Sequence, residues 1–337
     1  MSKKTVKVGI NGFGRIGRLA LRAGFGADNI EFVQINDPGA DAATMAHLLE
    51  FDSVHGRWGN DVKGAGSTLK INGREIHCTA EKEIKKTDWS GCDLVIEASG
   101  ANKTADVLQA YLDQGVEHVV VTAPVKSDGV PNIVVGVNDE DFDPKVHTIV
   151  TAASCTTNCL APVVKVVKDN WGIKHGSMTT IHALTNTQTI LDAPHKDLRR
   201  ARACGMSLIP TTTGSAKAIT AIFPELSGKI NGHAVRVPLE CPSLTDMVFE
   251  LEKPATVDEV NAAFATAAAG ELEGILGYEE RPLVSIDYKT DPRSSIVDAL
   301  STMVINGTQL KVYAWYDNEW GYSMRVVDLV KRIAQIQ

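Results

Sequence analysis

The chain has 337 residues, of which 44% are hydrophobic and 22% are charged, and its formal net charge at pH 7 is −7. This length exceeds the roughly 250 residues that one hydrophobic core usually serves, so two domains are expected, and the apolar content excludes a disordered chain. No run of about 18 apolar residues predicts a membrane helix, and the acidic balance means that nucleic acid is not expected as a primary partner.

The chain opens with residues 1–4, which lack the apolar segment of a secretory signal. Its six cysteines include no C-x-x-C pair, so neither a disulfide framework nor a zinc site is predicted. These features favour a cytoplasmic protein with reduced thiols and no membrane partner.

The first predicted strand ends at a glycine-rich turn. An apolar run over residues 6–11 precedes Gly12, Gly14 and Gly17, a helical pattern follows, and a second apolar run ends in Asp37. In a dinucleotide fold these glycines permit the tight turn, the approach of a pyrophosphate, and close packing of helix on strand. Asp37 accepts hydrogen bonds from a ribose and repels a 2′-phosphate, which favours NAD over NADP. The alternative is an ordinary glycine turn before a surface acid.

Further short apolar runs continue this unit. Strands are predicted at 94–97, 119–121, 133–137 and 148–150, and a helix at 104–111. Alternating strands and helices predict a doubly wound parallel sheet that binds ligands at the carboxyl ends of its strands.

A thiol follows the last of these strands. Cys155 stands between the hydroxyls of Ser154 and Thr156, and apolar residues at helical spacing come next. Ser154 is a candidate N-cap, so Cys155 lies at a helix start, where the dipole is expected to lower the pKa of a thiol. Cys159, one turn deeper, is expected to be a packed and inert neighbour. A hydrolase, a redox sensor and a dehydrogenase all remain open at this point.

The second half offers candidate partners for this thiol. His182 ends a predicted strand over 177–182 and is either a base or a partly buried structural histidine, whereas His195 is expected in a loop. The segment 211–215 and Arg236 suit an anion. A helix cap at Ser215 and a solvated strand arginine would explain the same residues without a ligand.

Four motifs together carry a family resemblance. They are residues 11–18 (NGFGRIGR), 153–162 (ASCTTNCLAP), 195–202 (HKDLRRAR) and 315–322 (WYDNEWGY). The chain resembles phosphorylating (type I) glyceraldehyde-3-phosphate dehydrogenase over essentially its whole length. The resemblance implies an α/β protein with a doubly wound parallel (Rossmann) nucleotide-binding domain and an α+β catalytic domain whose sheet is largely antiparallel. The expected bounds are 1–154, 155–318, and a C-terminal helix at 319–337 that returns to the first domain, and the expected assembly is a homotetramer.

The resemblance also implies the chemistry. Cys155 would attack the aldehyde of glyceraldehyde 3-phosphate and His182 would act as the base, while NAD takes the hydride and inorganic phosphate releases 1,3-bisphosphoglycerate. The implied contacts are Thr185, Arg200 and Arg236 for the substrate phosphate; Ser154, Thr156, Thr213 and Gly214 for the attacking phosphate; and Arg15, Ile16, Asp37, Lys82, Thr122 and Asn318, with Gly12, Gly14 and Gly17, for the nucleotide.

Some positions depart from the family pattern. Ala193 precedes Pro194 where a Leu-Pro pair is associated with NAD preference, so some NADP use stays open. The segments 37–41 and 51–58 resemble a side branch associated with arsenate handling, and arsenate would then serve as the acyl acceptor. Three further functions stay open: the same chemistry on erythrose 4-phosphate, an NAD-responsive RNA- or protein-binding role, and a Cys-dependent acyl hydrolase.

Overall fold

The computed structural model describes residues 5–335, so residues 1–4 and the last two residues of the predicted C-terminal helix, 336–337, lie outside the described residues. The helices are α1 Arg15–Gly24, α2 Ala42–Glu50, α3 Ala105–Leu112, α4 Cys155–Trp171, α5 Ser215–Ile222, α6 Val257–Ala268 and α7 Trp320–Ala334. The strands are β1 Val6–Asn11, β2 Ile30–Asn36, β3 Val62–Ala65, β4 Thr68–Ile71, β5 Arg74–Thr79, β6 Leu94–Glu97, β7 His118–Val121, β8 Ile149–Thr151, β9 Ile173–His182, β10 Ile209–Thr212, β11 Ile230–Arg236, β12 Ser243–Leu251, β13 Leu276–Glu279, β14 Ser295–Asp298, β15 Met303–Ile305 and β16 Gln309–Tyr316.

The described chain divides into two compact units, residues 5–153 with 323–335 and residues 154–322. In the first unit the strand order is β3-β4-β5-β2-β1-β6-β7-β8, and the strands from β5 to β8 pair in parallel. The predicted parallel sheet is therefore confirmed. The order reverses between β1 and β6, which is where a doubly wound sheet opens a crevice for a ligand.

One local prediction for this unit needs correction, and one part of its sheet has no predicted counterpart. The strand expected at 133–137 is absent: Ile133 donates to the carbonyl of Thr151, and the chain then turns at Gly136 (φ 85°). The Asn138 side chain closes that turn by accepting from the N–H of Val134. The apolar run is explained by burial in the core, since Ile133 and Val134 are both 0% exposed. The antiparallel meander β3-β4-β5 has no predicted counterpart, because its strands mix buried and exposed residues and so lack a continuous apolar run.

The C-terminal helix α7 buries one apolar face. Val326, Val327, Leu329, Val330 and Ile333 are all buried, and residues from Ser323 onward belong to the first unit. Burying such a side chain contributes about 1.5–3 kcal/mol. None of the helices within residues 5–335 is long and apolar enough to cross a membrane.

The second unit is built on a sheet in the order β10-β11-β9-β12-β16-β14-β13, with β15 paired to β16. Most neighbours are antiparallel, and the exceptions are β11 with β9 and β13 with β14. The largely antiparallel sheet of the second domain is therefore confirmed. In the parallel pair β9–β11, His182 lies in register with Arg236, so the carboxyl ends of both strands bring an imidazole and a guanidinium together.

Helix α4 begins as its sequence predicts. The Ser154 hydroxyl accepts from the N–H of Thr157, and Gly172 ends the helix with a φ of 73°. Pro162 lies inside the helix instead of in its first turn. Most of the helix is buried, so packing holds it despite the hydrogen bond that proline cannot donate.

Candidate functional site

The second unit places a thiol beside an imidazole. Cys155 is the first residue of α4, His182 is the last residue of β9, and Cys155 Sγ lies 3.6 Å from His182 Nε2. His182 is 4% exposed and Cys155 is half-buried. A nucleophile and a base within hydrogen-bond reach are the minimal arrangement for covalent catalysis.

Arg236 lies on the other side of the imidazole. Its Nη1 is 2.8 Å from His182 Nδ1 and donates to the carbonyl of Ala183 at 3.0 Å, while His182 Nδ1 is itself 2.7 Å from that carbonyl. With the proton on Nδ1, the ring donates to Ala183 and turns a free Nε2 lone pair toward the thiol. With the proton on Nε2, Nδ1 accepts from Arg236 and the ring donates to a thiolate. Both neutral tautomers therefore have partners.

Burial and the guanidinium charge of Arg236 lower the pKa of His182 to about 3, so the ring is neutral at physiological pH and can accept a proton. Burial also raises the pKa of the Cys155 thiol, and the charge of Arg236 opposes this effect. The expectation that the helix start would leave this thiol with a lowered pKa is thus wrong, because desolvation outweighs the nearby positive charge. The thiol depends on a base to lose its proton.

Tyr316 is a site residue that the sequence reasoning missed. Its hydroxyl lies 2.9 Å from Thr156 Oγ1 and 2.8 Å from Thr180 Oγ1, and its ring packs edge-on against His182. Thr156 is 3% exposed, so its hydroxyl is engaged inside the protein. The sequence carries part of this arrangement, because alternation along β9 places the side chains of Thr180 and His182 on the same face of the strand.

Ser215 links two of the residues that are predicted to hold the attacking phosphate, Ser154 and Thr213. Ser154 Oγ lies 3.2 Å from Ser215 Oγ, and the N–H of Ser215 donates to Thr213 Oγ1 at 3.2 Å. Gly214 is exposed and forms the N-cap of α5 without a side-chain hydrogen bond. Hydroxyls and a helix start therefore gather at one place, which suits an anion. Ser215 itself is the first helical residue, so the interpretation of Ser215 as a helix cap is wrong.

Arg200 is oriented by its neighbours. Its Nε donates to Thr211 Oγ1 at 3.0 Å, and that hydroxyl donates to Asp197 Oδ2 at 2.7 Å. The charge of Arg200 contributes to lowering the pKa values of both His182 and Arg236. The two guanidinium groups thus form a positive patch beside the imidazole, which suits an anion.

Thr185 lies next to this patch. Its hydroxyl is 2.9 Å from Thr187 Oγ1, which in turn accepts from Arg200 Nη1 at 3.5 Å. His195 lies in a loop as expected, with its ring bonded to the backbone of Asp197.

Cys159 lies behind the reactive thiol and is fully buried. Its sulfur contacts Thr245 Oγ1 at 3.3 Å and Ser295 Oγ at 3.5 Å, and burial raises its pKa to about 12. It is a packed thiol, in line with the prediction.

The glycine turn of the first unit has the geometry of a phosphate cradle. Gly12 has a φ of 91°, and a Cβ there would lie 2.4 Å from the backbone of Ser99. A Cβ at Gly17 would lie 2.1 Å from the carbonyl of Gly12. The space around Gly14 is open, and no side chain caps α1 at this residue. The turn and helix start thus suit a pyrophosphate.

Asp37 follows β2 and reaches the glycine turn. Its Oδ2 accepts from the N–H of Phe13 at 2.7 Å and its Oδ1 from the N–H of Gly39 at 2.8 Å. Each oxygen keeps acceptor capacity for a ribose hydroxyl. Arg15, also in the turn, forms a two-pronged ion pair with Asp52. Although burial opposes it, hydrogen bonding from Arg15 and His55 lowers the pKa of Asp52 to about 2.

The remaining predicted nucleotide contacts are spread over both units. In the first unit, Ile16 is half-buried in α1, Lys82 is exposed after β5, and Thr122 follows β7 with its N–H bonded to the carbonyl of Glu97. In the second unit, Asn318 is 4% exposed, and its Oδ1 accepts from Ser243 Oγ at 2.8 Å. Among residues 5–335, no group of His, Cys, Asp and Glu side chains could hold a metal ion.

Comparison with known proteins covers both units. Residues 6–105 match the family described as "Glyceraldehyde 3-phosphate dehydrogenase, NAD binding domain", and residues 154–318 match "Glyceraldehyde 3-phosphate dehydrogenase, C-terminal domain". The chain is 58% identical over 332 residues to glyceraldehyde-3-phosphate dehydrogenase 3 of Nostoc sp., covering 98% of each chain. It is 54% identical over 331 residues to the glyceraldehyde-3-phosphate dehydrogenase of Geobacillus stearothermophilus, again 98% of each. For glyceraldehyde-3-phosphate dehydrogenase 2 of Bacillus subtilis the identity is 48% over 331 residues, covering 98% of this chain and 97% of the relative.

Proposed function

This chain belongs to the glyceraldehyde-3-phosphate dehydrogenase family, and from that premise we propose that it oxidises glyceraldehyde 3-phosphate with NAD and phosphate to 1,3-bisphosphoglycerate. The observation that carries the residue roles is the 3.6 Å approach of Cys155 Sγ to His182 Nε2, with Arg236 on the far side of the ring. A neutral imidazole against a half-buried thiol supports acyl transfer through sulfur.

The first step is the attack of Cys155 on the aldehyde carbon. The S–H proton passes to His182, the C–S bond forms as the carbonyl π bond breaks, and His182 hands that proton to the carbonyl oxygen, which gives a thiohemiacetal and a neutral ring. The lowered pKa of His182 keeps the ring neutral before the step, so a nitrogen lone pair is free to take the proton, but the same shift also makes the imidazole a weaker base. Arg236 stabilises the thiolate while it exists, since its charge opposes the effect of burial on the pKa of the thiol.

The second step removes two electrons from the thiohemiacetal carbon. NAD, when bound, supplies the acceptor for the hydride. His182 takes the hydroxyl proton as the C=O bond re-forms, leaving a thioester on Cys155. A base so placed contributes about 10²–10⁴ in rate.

The third step is the attack of phosphate on the thioester. The C–S bond breaks, Cys155 leaves as thiolate, and the acyl group departs as the acyl phosphate. Ser154, Thr213 and Gly214 are proposed to hold the attacking phosphate, because their hydroxyls and helix start converge through Ser215. Thr156 contributes there through its backbone, since its hydroxyl is engaged by Tyr316.

The substrate's own phosphate is proposed to bind at the positive patch of Arg200 and Arg236, with Thr185 at its edge. Arg200 meets an anion in a fixed orientation because Thr211 and Asp197 hold it. A guanidinium so oriented binds phosphate more specifically than a mobile one.

NAD is the cofactor, and the first unit fits it. Open space at Gly14 and the uncapped start of α1 suit the pyrophosphate, with Arg15 and Ile16 in the first helical turn. Asp37 would hold the adenine ribose and disfavour a 2′-phosphate. Lys82, Thr122 and Asn318 complete the proposed contacts.

The test is NADH formation from glyceraldehyde 3-phosphate with phosphate, with arsenate, and with neither. We expect rapid formation with phosphate and little with neither oxyanion. Arsenate turnover that matches the phosphate rate would support its use as an acceptor. If no NADH forms with either oxyanion, the proposed function is wrong.

Erythrose 4-phosphate is not favoured as the substrate, because the relatives described above are all named for glyceraldehyde 3-phosphate. A parallel assay with it should give a lower kcat/KM. The homotetrameric state and the cytoplasmic location remain predictions.

A further inference from the structure

A single buried amide, Asn36, ties together several segments of the first unit. It is 3% exposed and is the last residue of β2. Its Nδ2 donates to Asn11 Oδ1 and to the carbonyl of Glu81, both at 2.8 Å. Its Oδ1 accepts from Thr79 Oγ1 and from the N–H of Glu81 at 2.8 Å, and from Thr87 Oγ1 at 3.3 Å. Flipping the amide would set its NH₂ against the N–H of Glu81, so this orientation is determined.

The amide network continues to a buried carboxylate. Asn11 Nδ2 donates to Glu97 Oε2 at 2.9 Å, and Tyr111 donates to the same oxygen at 2.7 Å. The hydroxyl and N–H of Ser99 donate to Glu97 Oε1. Glu97 is 1% exposed. We call Asn11, Asn36 and Glu97, with the groups that bond them, the nucleotide-edge network.

This network lies under the ligand-binding edge of the sheet. Asn36, Asn11 and Glu97 end the adjacent strands β2, β1 and β6, and the Glu81 loop follows the next strand, β5. In a doubly wound sheet the carboxyl ends of the strands face the ligand. The network therefore joins the loops that carry the proposed nucleotide contacts.

The consequence is greatest for the ribose site. Asp37 directly follows Asn36, and its N–H donates to the carbonyl of Thr79 at 3.0 Å. Lys82 directly follows Glu81, which Asn36 holds by both its N–H and its carbonyl. The Asn36 side chain thus adds a second link between the segment of Asp37 and the loop that bears Lys82, beside the backbone bond from Asp37 to Thr79.

We propose that Asn36 is a positioning residue for the adenosine half of the cofactor, holding Asp37 and the loop after β5 at the spacing that the nucleotide needs. This inference rests on NAD being the cofactor of the proposed function. Asn36 itself has its hydrogen-bonding groups directed into the protein, so it acts through Asp37 and the Glu81 loop.

The experiment uses the full chain with Asn36→Ala and ADP-ribose as the probe. ADP-ribose carries the adenosine and pyrophosphate but lacks nicotinamide. We expect its inhibition constant against NAD to rise about ten-fold, and the KM for NAD to rise by the same factor, as for the loss of one to two hydrogen bonds. The kcat at saturating NAD and the rate of Cys155 alkylation without NAD should stay within about two-fold, because these readouts depend on the thiol and the base, which both belong to the second unit.

Gln34→Ala is the matched control. Gln34 is 7% exposed on the same strand, and its amide donates to the carbonyl of Asp88 at 2.9 Å, outside the network. The Gln34→Ala substitution removes a comparable buried amide and should leave the inhibition constant of ADP-ribose unchanged. If Asn36→Ala fails to fold, Thr79→Val provides a second test, because it deletes one hydroxyl that is bonded to Asn36. The inhibition constant of ADP-ribose is then expected to rise about three-fold.

An unchanged ADP-ribose constant in a folded Asn36→Ala or Thr79→Val protein would overturn the inference. So would an equal loss of ADP-ribose binding in Gln34→Ala, or a parallel fall in kcat and alkylation, since either result indicates general destabilisation. If the wild-type chain makes NADH but the variants bind ADP-ribose normally, only this inference fails. If the wild-type chain makes no NADH, the proposed function fails instead.

Discussion

Two buried polar clusters in this chain are built on opposite principles. In the nucleotide-edge network of the first unit, each of Asn36 and Glu97 has several hydrogen-bond partners. In the second unit, His182 has a pKa lowered to about 3, burial raises the pKa of the Cys155 thiol, and Arg236 Nε has no hydrogen-bond partner among the described residues. The polar side chains of the first cluster are thus fully engaged in hydrogen bonds. In the second cluster, burial disfavours the charged forms of the imidazole and the thiol.

The difference follows from the two tasks. A satisfied network costs little to bury and holds its loops in one arrangement, which is what a binding edge needs. A buried polar atom without a partner costs about 1–3 kcal/mol, and that cost is relieved when an anion arrives. In the proposed function the second cluster therefore keeps a group that the substrate would complete, while the hydrogen bonds of the nucleotide-edge network are already formed.

Removing the thiol is the largest perturbation of the second cluster. Cys155→Ser should lower kcat by about 10⁴-fold or more, as loss of a covalent nucleophile does elsewhere. ADP-ribose binding should stay unchanged, because the first-unit network is untouched. Steady-state turnover and ADP-ribose titration measure the two effects, and retained turnover would exclude Cys155 as the nucleophile.

Removing the proposed base, His182, is the next largest perturbation of the second cluster. His182→Asn should slow hydride transfer by about 10²–10⁴-fold and also slow alkylation of Cys155 by iodoacetamide, because a thiol with a raised pKa then lacks its proton acceptor. Single-turnover NADH formation and alkylation kinetics test this. Cys159→Ala serves as the control, since that thiol lies behind the site with a pKa of about 12. Wild-type rates in both assays for His182→Asn would contradict the assignment.

A charge change at the binding edge should have a smaller effect. Asp37→Asn should shift the preference for NAD over NADP toward NADP by roughly ten-fold, because the carboxylate no longer repels a 2′-phosphate. The ratio of kcat/KM for the two cofactors measures this shift. Asp41→Asn is the matched control, because that exposed acid caps α2 instead. An unchanged ratio in Asp37→Asn would mean that the ribose contact lies elsewhere.

The parts of these clusters that the sequence predicts are those within one short segment. The glycine turn, Asp37 at the end of a strand, the Ser154 cap and the position of His182 all follow from local spacing and alternation. Each depends on contacts between residues close in the chain, where periodicity and capping rules apply.

The parts that the sequence does not predict depend on pairing between distant segments. Arg236 meets His182 only through the register of β11 on β9, and Tyr316 reaches Thr156 across the whole second unit. The pKa of Cys155 likewise depends on how deeply its surroundings bury it. The prediction of a strand at 133–137 is wrong for a related reason. Apolar residues in a buried turn have the same sequence pattern as those in a short buried strand.

The expected effect that is smallest per pH unit concerns the free energy of unfolding, and it distinguishes the two clusters because only one of them contains a titrating imidazole. Unfolded His182 takes up a proton below its ordinary pKa of 6.5, whereas the folded protein resists this down to about 3. The unfolded state therefore binds more protons in this window, and the free energy of unfolding falls by roughly 1 kcal/mol per pH unit as the pH drops through it. His182→Asn should remove that part of the slope, and Asn36→Ala should keep it, because an amide does not titrate. Urea unfolding at several pH values measures both slopes, and equal slopes in wild type and His182→Asn would show that the imidazole is not held neutral by the fold.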